Sequence, residues 1–168
     1  MISHGQIINQ STNKVNNNWK IISDPDYSII YPPNWELNQS KQMGTSFILF
    51  SPLDSVNDVF KENVNLVIQN VSTNHIDLDK FVELSENQIE TMATNSKIEE
   101  NRRIKHGEKE FHKMVYIADQ GILHLKFEQY YWVVDEKAYI LTLTTEQSKY
   151  KDYKEVGENI INSFVIKK

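Results

Sequence analysis

Two histidines and one glutamate are the side chains of this sequence best suited to chemistry. They are His112, His124 and Glu128. Imidazole and carboxylate groups on neighbouring strands can bind a metal ion or transfer a proton. All three lie within residues 97–146, where apolar and polar residues alternate around short turn signals. That pattern predicts a meander of three antiparallel strands.

The strand register decides which of these side chains meet. We expect Asp119-Gln120-Gly121 to form a three-residue loop, so that Ala118 pairs with Ile122. In that register His112 lies opposite Glu128, and the apolar residues fall on one side of the sheet. The other side is then a polar face, which comprises Asn101, Arg103, Glu110, His112, His124, Glu128, Tyr130 and Thr144.

The polar face has two interpretations. In the first, His112, Glu128 and His124 bind a small ligand or a metal ion. In the second, opposite charges on adjacent strands only stabilise the sheet, by about 0.2–1 kcal/mol per pair. The second interpretation is favoured, because the predicted register does not make His112 and His124 direct neighbours.

No other motif indicates catalysis. With five glycines, the chain contains neither the dinucleotide fingerprint nor the phosphate-binding P-loop. Asp54, Asn57 and Asp58 are close together, but the glycine and the terminal glutamate of an EF-hand calcium loop are missing. A nucleophile needs an adjacent base and an orienting group, and the sequence groups no such trio. We therefore predict a protein that is not an enzyme, with no catalytic residue and no cofactor.

Composition excludes several classes of protein. The net charge is −5, and Lys and Arg form no stripe that could neutralise phosphates, so we predict no nucleic-acid partner. No apolar run approaches the length of a membrane span, so we predict no membrane insertion. The absence of cysteine excludes disulfides and thiolate metal sites within the chain.

The order of predicted elements indicates an α+β domain. We expect residues 1–18 to form a flexible polar tail and residues 19–168 to form a single domain. Short strands precede a helix that begins at the N-cap Asp77, and a second helix covers about residues 150–162. Strands, helix, strands and helix without βαβ alternation predict a central antiparallel sheet flanked by helices.

The order of several segments resembles the PsbP-like family. Residues Tyr27 to Trp35 resemble its opening strand pair with a Tyr-Pro-x-x-Trp corner. Residues Phe47 to Pro52 resemble the strand that follows, and Asn63 to Ile68 resemble its central strand. The similarity spans about residues 19–166. It implies an α/β/α sandwich with helices on both faces of an antiparallel sheet.

The resemblance also implies a function. Photosynthetic members are non-catalytic extrinsic subunits of photosystem II, whereas many bacterial members are exported or lipid-anchored. The chain lacks the basic N-terminal segment for photosystem docking and is similar to the second group. We therefore predict a non-catalytic accessory or protein-binding module with a protein partner. The alternative is a small-ligand or metal-binding protein that uses the polar face of residues 97–146.

The resemblance favours a location in the cell envelope after export, with the cytoplasm as the alternative. Residues 1–10 show no signal peptide, so export would require a leader that this sequence does not contain.

Overall fold

Within residues 14–167, ten strands and two α-helices form the α+β architecture that the sequence predicts. The computed structural model describes residues 14–167. The strands are β1 (Lys20–Ser23), β2 (Tyr27–Tyr31), β3 (Glu36–Asn38), β4 (Phe47–Phe50), β5 (Asn63–Asn70), β6 (Thr94–His106), β7 (Lys109–Gln120), β8 (Leu123–Val134), β9 (Lys137–Glu146) and β10 (Val165–Ile166). The helices are α1 (Leu78–Met92) and α2 (Tyr150–Asn162). Seven strands form a large antiparallel sheet in the order β3-β4-β5-β9-β8-β7-β6, and a small sheet has the order β1-β2-β10.

The predicted meander contains four strands, β6 to β9, rather than three. Two-residue turns join these strands. Gly121 has φ 60° and begins a turn of the II′ type, in which only the first central residue has positive φ. Asp135 and Glu136 have φ 50° and 63°, as a type I′ turn requires. Both turn types match the right-handed twist of the strands that they join.

The turn at Gly121 makes the predicted register wrong. Gln120 pairs with Leu123, and the residue opposite His112 is therefore Tyr131. The predicted partner, Glu128, lies three residues before Tyr131 in β8. Because three is an odd number, β8 presents the opposite set of side chains on each face. The expected separation of apolar from polar residues fails as well, because both faces of this sheet are covered.

Each face of the large sheet supports a separate core. On the α1 face, helix α1 packs on β7, β8 and β9, and Phe81 meets Tyr131 edge-to-face with 5.6 Å between ring centroids. On the α2 face, helix α2 buries Ile160 against the sheet. The small sheet lies on the same face, where the ring of Tyr27 packs against that of Phe47 with 5.9 Å between the ring centroids. The predicted sandwich is therefore present, with the small sheet beside α2.

Both predicted helices begin and end close to the expected positions. The Asp77 side chain accepts a hydrogen bond from the Lys80 N–H, 2.8 Å away, which caps α1. Of the predicted tail, residues 1–13 lie outside the described residues, and residues 14–18 are exposed. No helix within residues 14–167 is long and apolar enough to cross a membrane.

We expect Gly157→Ala to destabilise the domain. Gly157 lies in α2 against Leu143 of β9, and a Cβ at Gly157 would stand 2.6 Å from Leu143 Cδ2. Overpacking of this kind costs about 1–3 kcal/mol, which outweighs the gain of about 1 kcal/mol from the helix propensity of alanine. Urea unfolding would measure the loss.

The same substitution in a Leu143→Ala background provides the control, because the clashing methyl groups are then absent. We expect Gly157→Ala to be neutral or stabilising there. An equal loss in both backgrounds would contradict the steric explanation.

Candidate functional site

Glu128 lies beneath α2, on the opposite face of the sheet from His112. Its side chain is 0% exposed. Oε1 accepts a hydrogen bond from Tyr130 Oη at 2.6 Å, and Oε2 accepts one from Tyr150 Oη at 3.0 Å. Lys113 Nζ is 3.2 Å from Oε1. Both carboxylate oxygens are therefore satisfied within the protein.

The surroundings of Glu128 keep it ionised. Burial by itself raises the pKa of Glu128, but hydrogen bonds from Tyr130 and Glu158, together with the charge of Lys113, hold that pKa below its usual value. Burial, and then the neighbouring Glu128 carboxylate, raises the pKa of Glu158, against the effect of its 2.6 Å hydrogen bond from Lys154. The group is a buried ion network that joins α2 to the sheet.

His112 lies on the α1 face and is held in its neutral form. Its Nε2 is hydrogen-bonded to Asn101 Oδ1, and Arg103 Nε donates to Nδ1 at 3.5 Å. Nδ1 is then the acceptor and Nε2 carries the proton. Burial, and then the charge of Arg103, lowers the pKa of His112. Arg103 also donates to Glu110 at 2.8 Å, so these three predicted neighbours of His112 do share its face.

His124 lies away from both groups. Its side chain is 72% exposed at the start of β8, with Nδ1 2.6 Å from Asp119 Oδ1. The structure therefore does not bring His112, Glu128 and His124 together. The predicted common polar face is wrong, because Glu128 and Tyr130 lie on the α2 face.

A cleft on the α1 face is a concave feature that sequence reasoning missed. It lies between α1 and strands β5, β7, β8 and β9 and encloses about 340 Å³. Its lining includes the amides Gln69, Gln88 and Gln129, the phenols Tyr116 and Tyr131, and Met92. In β8, Gln129 interrupts an alternating apolar series that runs from Leu125 to Tyr131, which is the signal that could have indicated it.

Hydrogen bonds fix two of the polar side chains that line this cleft, Gln129 and Tyr131. Tyr131 Oη donates to Gln129 Oε1, and Gln129 Nε2 donates to Thr142 Oγ1 at 3.3 Å. Burial raises the pKa of Tyr116 to about 12, so its phenol stays protonated at neutral pH. The residues that line the cleft therefore offer hydrogen bonds and apolar contact without formal charge. Such a lining suits a neutral group.

Comparison with known proteins identifies the fold. No family model matches the chain, and no curated protein matches it. Cyanobacterial PsbP from Synechocystis superposes with a TM-score of 0.63 at 14% identity, covering 91% of this chain and 95% of that chain. PA94 from Pseudomonas aeruginosa superposes with a TM-score of 0.65 at 12% identity, covering 90% of this chain and 99% of PA94. LpqN of Mycobacterium tuberculosis, which is involved in cell envelope biogenesis, superposes with a TM-score of 0.67 at 10% identity, covering 91% of this chain and 93% of LpqN.

The fold of this chain is thus PsbP-like, as its segment order predicted. Identities of 10–14% show the shared fold and do not transfer an activity.

We expect Glu128→Leu to destabilise the domain strongly and the double change Glu128→Leu/Lys113→Met to recover part of the loss, since the Tyr130 and Tyr150 hydroxyls still lack the acceptor that Glu128 provides. Removing one partner of a buried ion pair costs about 3–5 kcal/mol, whereas replacing both by apolar residues is often nearly neutral. In Glu128→Leu, Lys113 keeps its contact with Glu100 at 3.5 Å. We therefore expect the loss of stability in this variant to lie at the lower end of that range. Urea unfolding of the wild type, both single variants and the double variant would give the coupling energy.

The exposed pair Lys80–Glu83 is the matched control, since its side chains are 51% and 70% exposed and the pair contributes little. Additive effects of Glu128→Leu and Lys113→Met would show that the two groups are not coupled.

As the pH is lowered from neutral, the free energy of unfolding should decrease more steeply in the wild type than in His112→Gln. The folded state lowers the pKa of His112, so below about pH 6.5 the unfolded chain binds a proton that the folded chain does not. Stability is then present at neutral pH and is lost as the pH falls. Urea unfolding between about pH 7 and about pH 5 would test this, with exposed His124→Gln as the control. Equal slopes in the wild type and His112→Gln would exclude a contribution from His112.

Proposed function

We propose that this chain is a non-catalytic binding module that docks a protein partner at the cleft between α1 and the large sheet. The observation that carries this proposal is the cleft itself. Its volume of about 340 Å³ falls within the range of roughly 300–1,000 Å³ typical of ligand pockets. The volume suits one or two side chains of a partner better than a large ligand.

The rim of the cleft supports a protein partner. Gln88 and Met92 line the cleft, and Met92 is 74% exposed. Leu84, which is 45% exposed, lies outside the lining and continues the same stripe of α1 at four-residue spacing. Methionine adapts its shape to different apolar partners. An apolar rim above a floor of amides and phenols matches a partner side chain that inserts while its neighbours cover the rim.

The state of the ionisable groups supports binding rather than turnover. Glu128 is enclosed by its partners, and both ring nitrogens of His112 are hydrogen-bonded. His124 lies in solvent beside Asp119. The cleft is lined by amide, phenol and apolar groups and by the hydroxyl of Ser85, and no histidine, carboxylate or lysine within residues 14–167 lines it that could serve Ser85 as a base.

A small neutral ligand is the second candidate for the cleft. Three amides, Gln69, Gln88 and Gln129, reach the same space and could direct hydrogen bonds to a neutral polar molecule. This candidate keeps the predicted alternative of a small-ligand protein but moves its site from the His112–Glu128 pair to the cleft.

The proposal includes a location in the cell envelope. Its support is the shared fold with LpqN, which is involved in cell envelope biogenesis. Fractionation of cells that produce the protein from its native gene should recover it with envelope material. Recovery in the cytoplasmic fraction would contradict this part of the proposal.

We expect Met92→Glu to weaken partner binding without unfolding the domain, because Met92 lines the cleft and is largely exposed. Immobilised wild-type protein should retain from extracts of the producing cells a partner that Met92→Glu does not retain. With the purified partner, calorimetry should show at least a roughly tenfold weaker affinity for Met92→Glu, equivalent to about 1.4 kcal/mol.

The control is Met43→Glu, which makes the same change at a residue that is 80% exposed and outside the cleft lining. Equal binding by the two variants would contradict docking at the cleft. A thermal shift with neutral small molecules that is lost in Gln129→Ala would instead favour the second candidate.

A further inference from the structure

Four carboxylates surround a single ammonium group near the start of α2. The Lys149 Nζ atom lies 2.9 Å from Asp58 Oδ1, 3.1 Å from Asp54 Oδ2, 3.3 Å from Glu146 Oε2 and 3.8 Å from Glu62 Oε1. One ammonium thus faces four acidic side chains. The cluster has more acceptor oxygens than Lys149 can neutralise or satisfy, because an ammonium has three donors.

One of these oxygens is buried without a hydrogen bond. The Glu62 side chain is 1% exposed, and its Oε2 accepts the Glu146 N–H at 2.8 Å. Its Oε1 accepts no hydrogen bond, although it is the Glu62 oxygen that faces Lys149 in the cluster. Leaving a buried carboxylate oxygen without a partner is costly. A cation between Glu62 and its acidic neighbours would remove that cost.

The spacing of the carboxylates matches a calcium ion. Asp54, Asp58 and Glu62 each offer an oxygen, and the three oxygens lie within 4.8 Å of one another. Calcium binds oxygen at about 2.3–2.6 Å, so two of its ligands can be up to about 5 Å apart. Asp54 and Asp58, with Ser55 and Asn57, line an opening of about 360 Å³, which admits water as further ligands.

We propose that Asp54, Asp58 and Glu62 form a calcium site in which Lys149 occupies the place of the ion until calcium displaces it. Lys149 is a flexible side chain that is 22% exposed, so its ammonium can move outward to solvent. Glu146, which already contacts Lys149, is then free to complete the site. Magnesium fits less well, because it requires near-ideal octahedral geometry at about 2.0–2.1 Å.

Terbium luminescence tests binding of the ion directly. The Tyr153 Oη atom is 2.6 Å from Asp54 Oδ1, and its ring centroid is 6.4 Å from that of Trp35. A terbium ion in the site would lie next to this aromatic pair and would emit when the rings are excited. Added calcium should suppress the emission at lower concentrations than magnesium.

Thermal unfolding with calcium chloride tests which residues hold the ion. At about 100 times the dissociation constant, calcium should raise the Tm of the wild type by roughly 5–10 °C. Glu62→Gln should lose this shift. Lys149→Gln should bind calcium roughly tenfold more tightly, because a competing positive charge has been removed. Glu90→Gln, an exposed change on α1, should behave as the wild type.

Two results would overturn the proposal. One is the absence of terbium emission and of a calcium-dependent Tm shift in both wild type and Lys149→Gln at about 10 mM calcium, which exceeds the dissociation constants of weak extracellular sites. The other is a full calcium shift in Glu62→Gln. If Glu62→Gln does not fold, Asp54→Asn provides the same test, since the Asp54 side chain is 42% exposed.

Discussion

Two-residue turns hold β7, β8 and β9 in a continuous register, and this register determines which face of the large sheet each of their side chains occupies. The turn at Gly121 places Glu128, Lys113 and Tyr130 on the α2 face, where Tyr150 of α2 completes their hydrogen bonds. With a loop one residue longer, Glu128 would move to the α1 face, against the apolar surface of Phe81 and its neighbours. A carboxylate there would be buried without partners, which is costly. Turn geometry and buried electrostatics therefore favour the same register.

The two faces use different means to bind their helices. Helix α2 is held by an apolar core and by the charged network around Glu128, and Gly157 allows it to approach Leu143 closely. Helix α1 is held mainly by apolar contacts such as that of Phe81 with Tyr131, and it leaves a cleft beside it. The α2 face is consequently closed by specific polar partners. The α1 face has space and adaptable side chains, and the proposed docking site lies there for that reason.

The sequence predicted the elements well and the tertiary placement of side chains poorly. The cap at Asp77, the second helix and the PsbP-like order are local signals, and the structure confirms them. The register could not be read from alternation, since burial of both faces leaves apolar residues at successive positions. The pairing of His112 with Glu128 failed for this reason. The cleft depends on where α1 lies across four strands, and no local pattern encodes that position beyond the interruption at Gln129.

The two lysine–carboxylate clusters of this protein show how a structural ion pair differs from a site that lacks a ligand. At Glu128, hydrogen bonds and Lys113 satisfy both oxygens, and together they hold the pKa below its usual value despite burial. At Glu62, burial dominates and raises the pKa to about 7, against the effects of the Glu146 N–H and the charge of Lys149. Lys149 is shared among four acids, and Glu62 Oε1 has no donor. Both clusters combine acids with lysine, so composition cannot separate them. The difference lies in hydrogen-bond completeness, and it indicates that further positive charge would stabilise the second cluster and not the first.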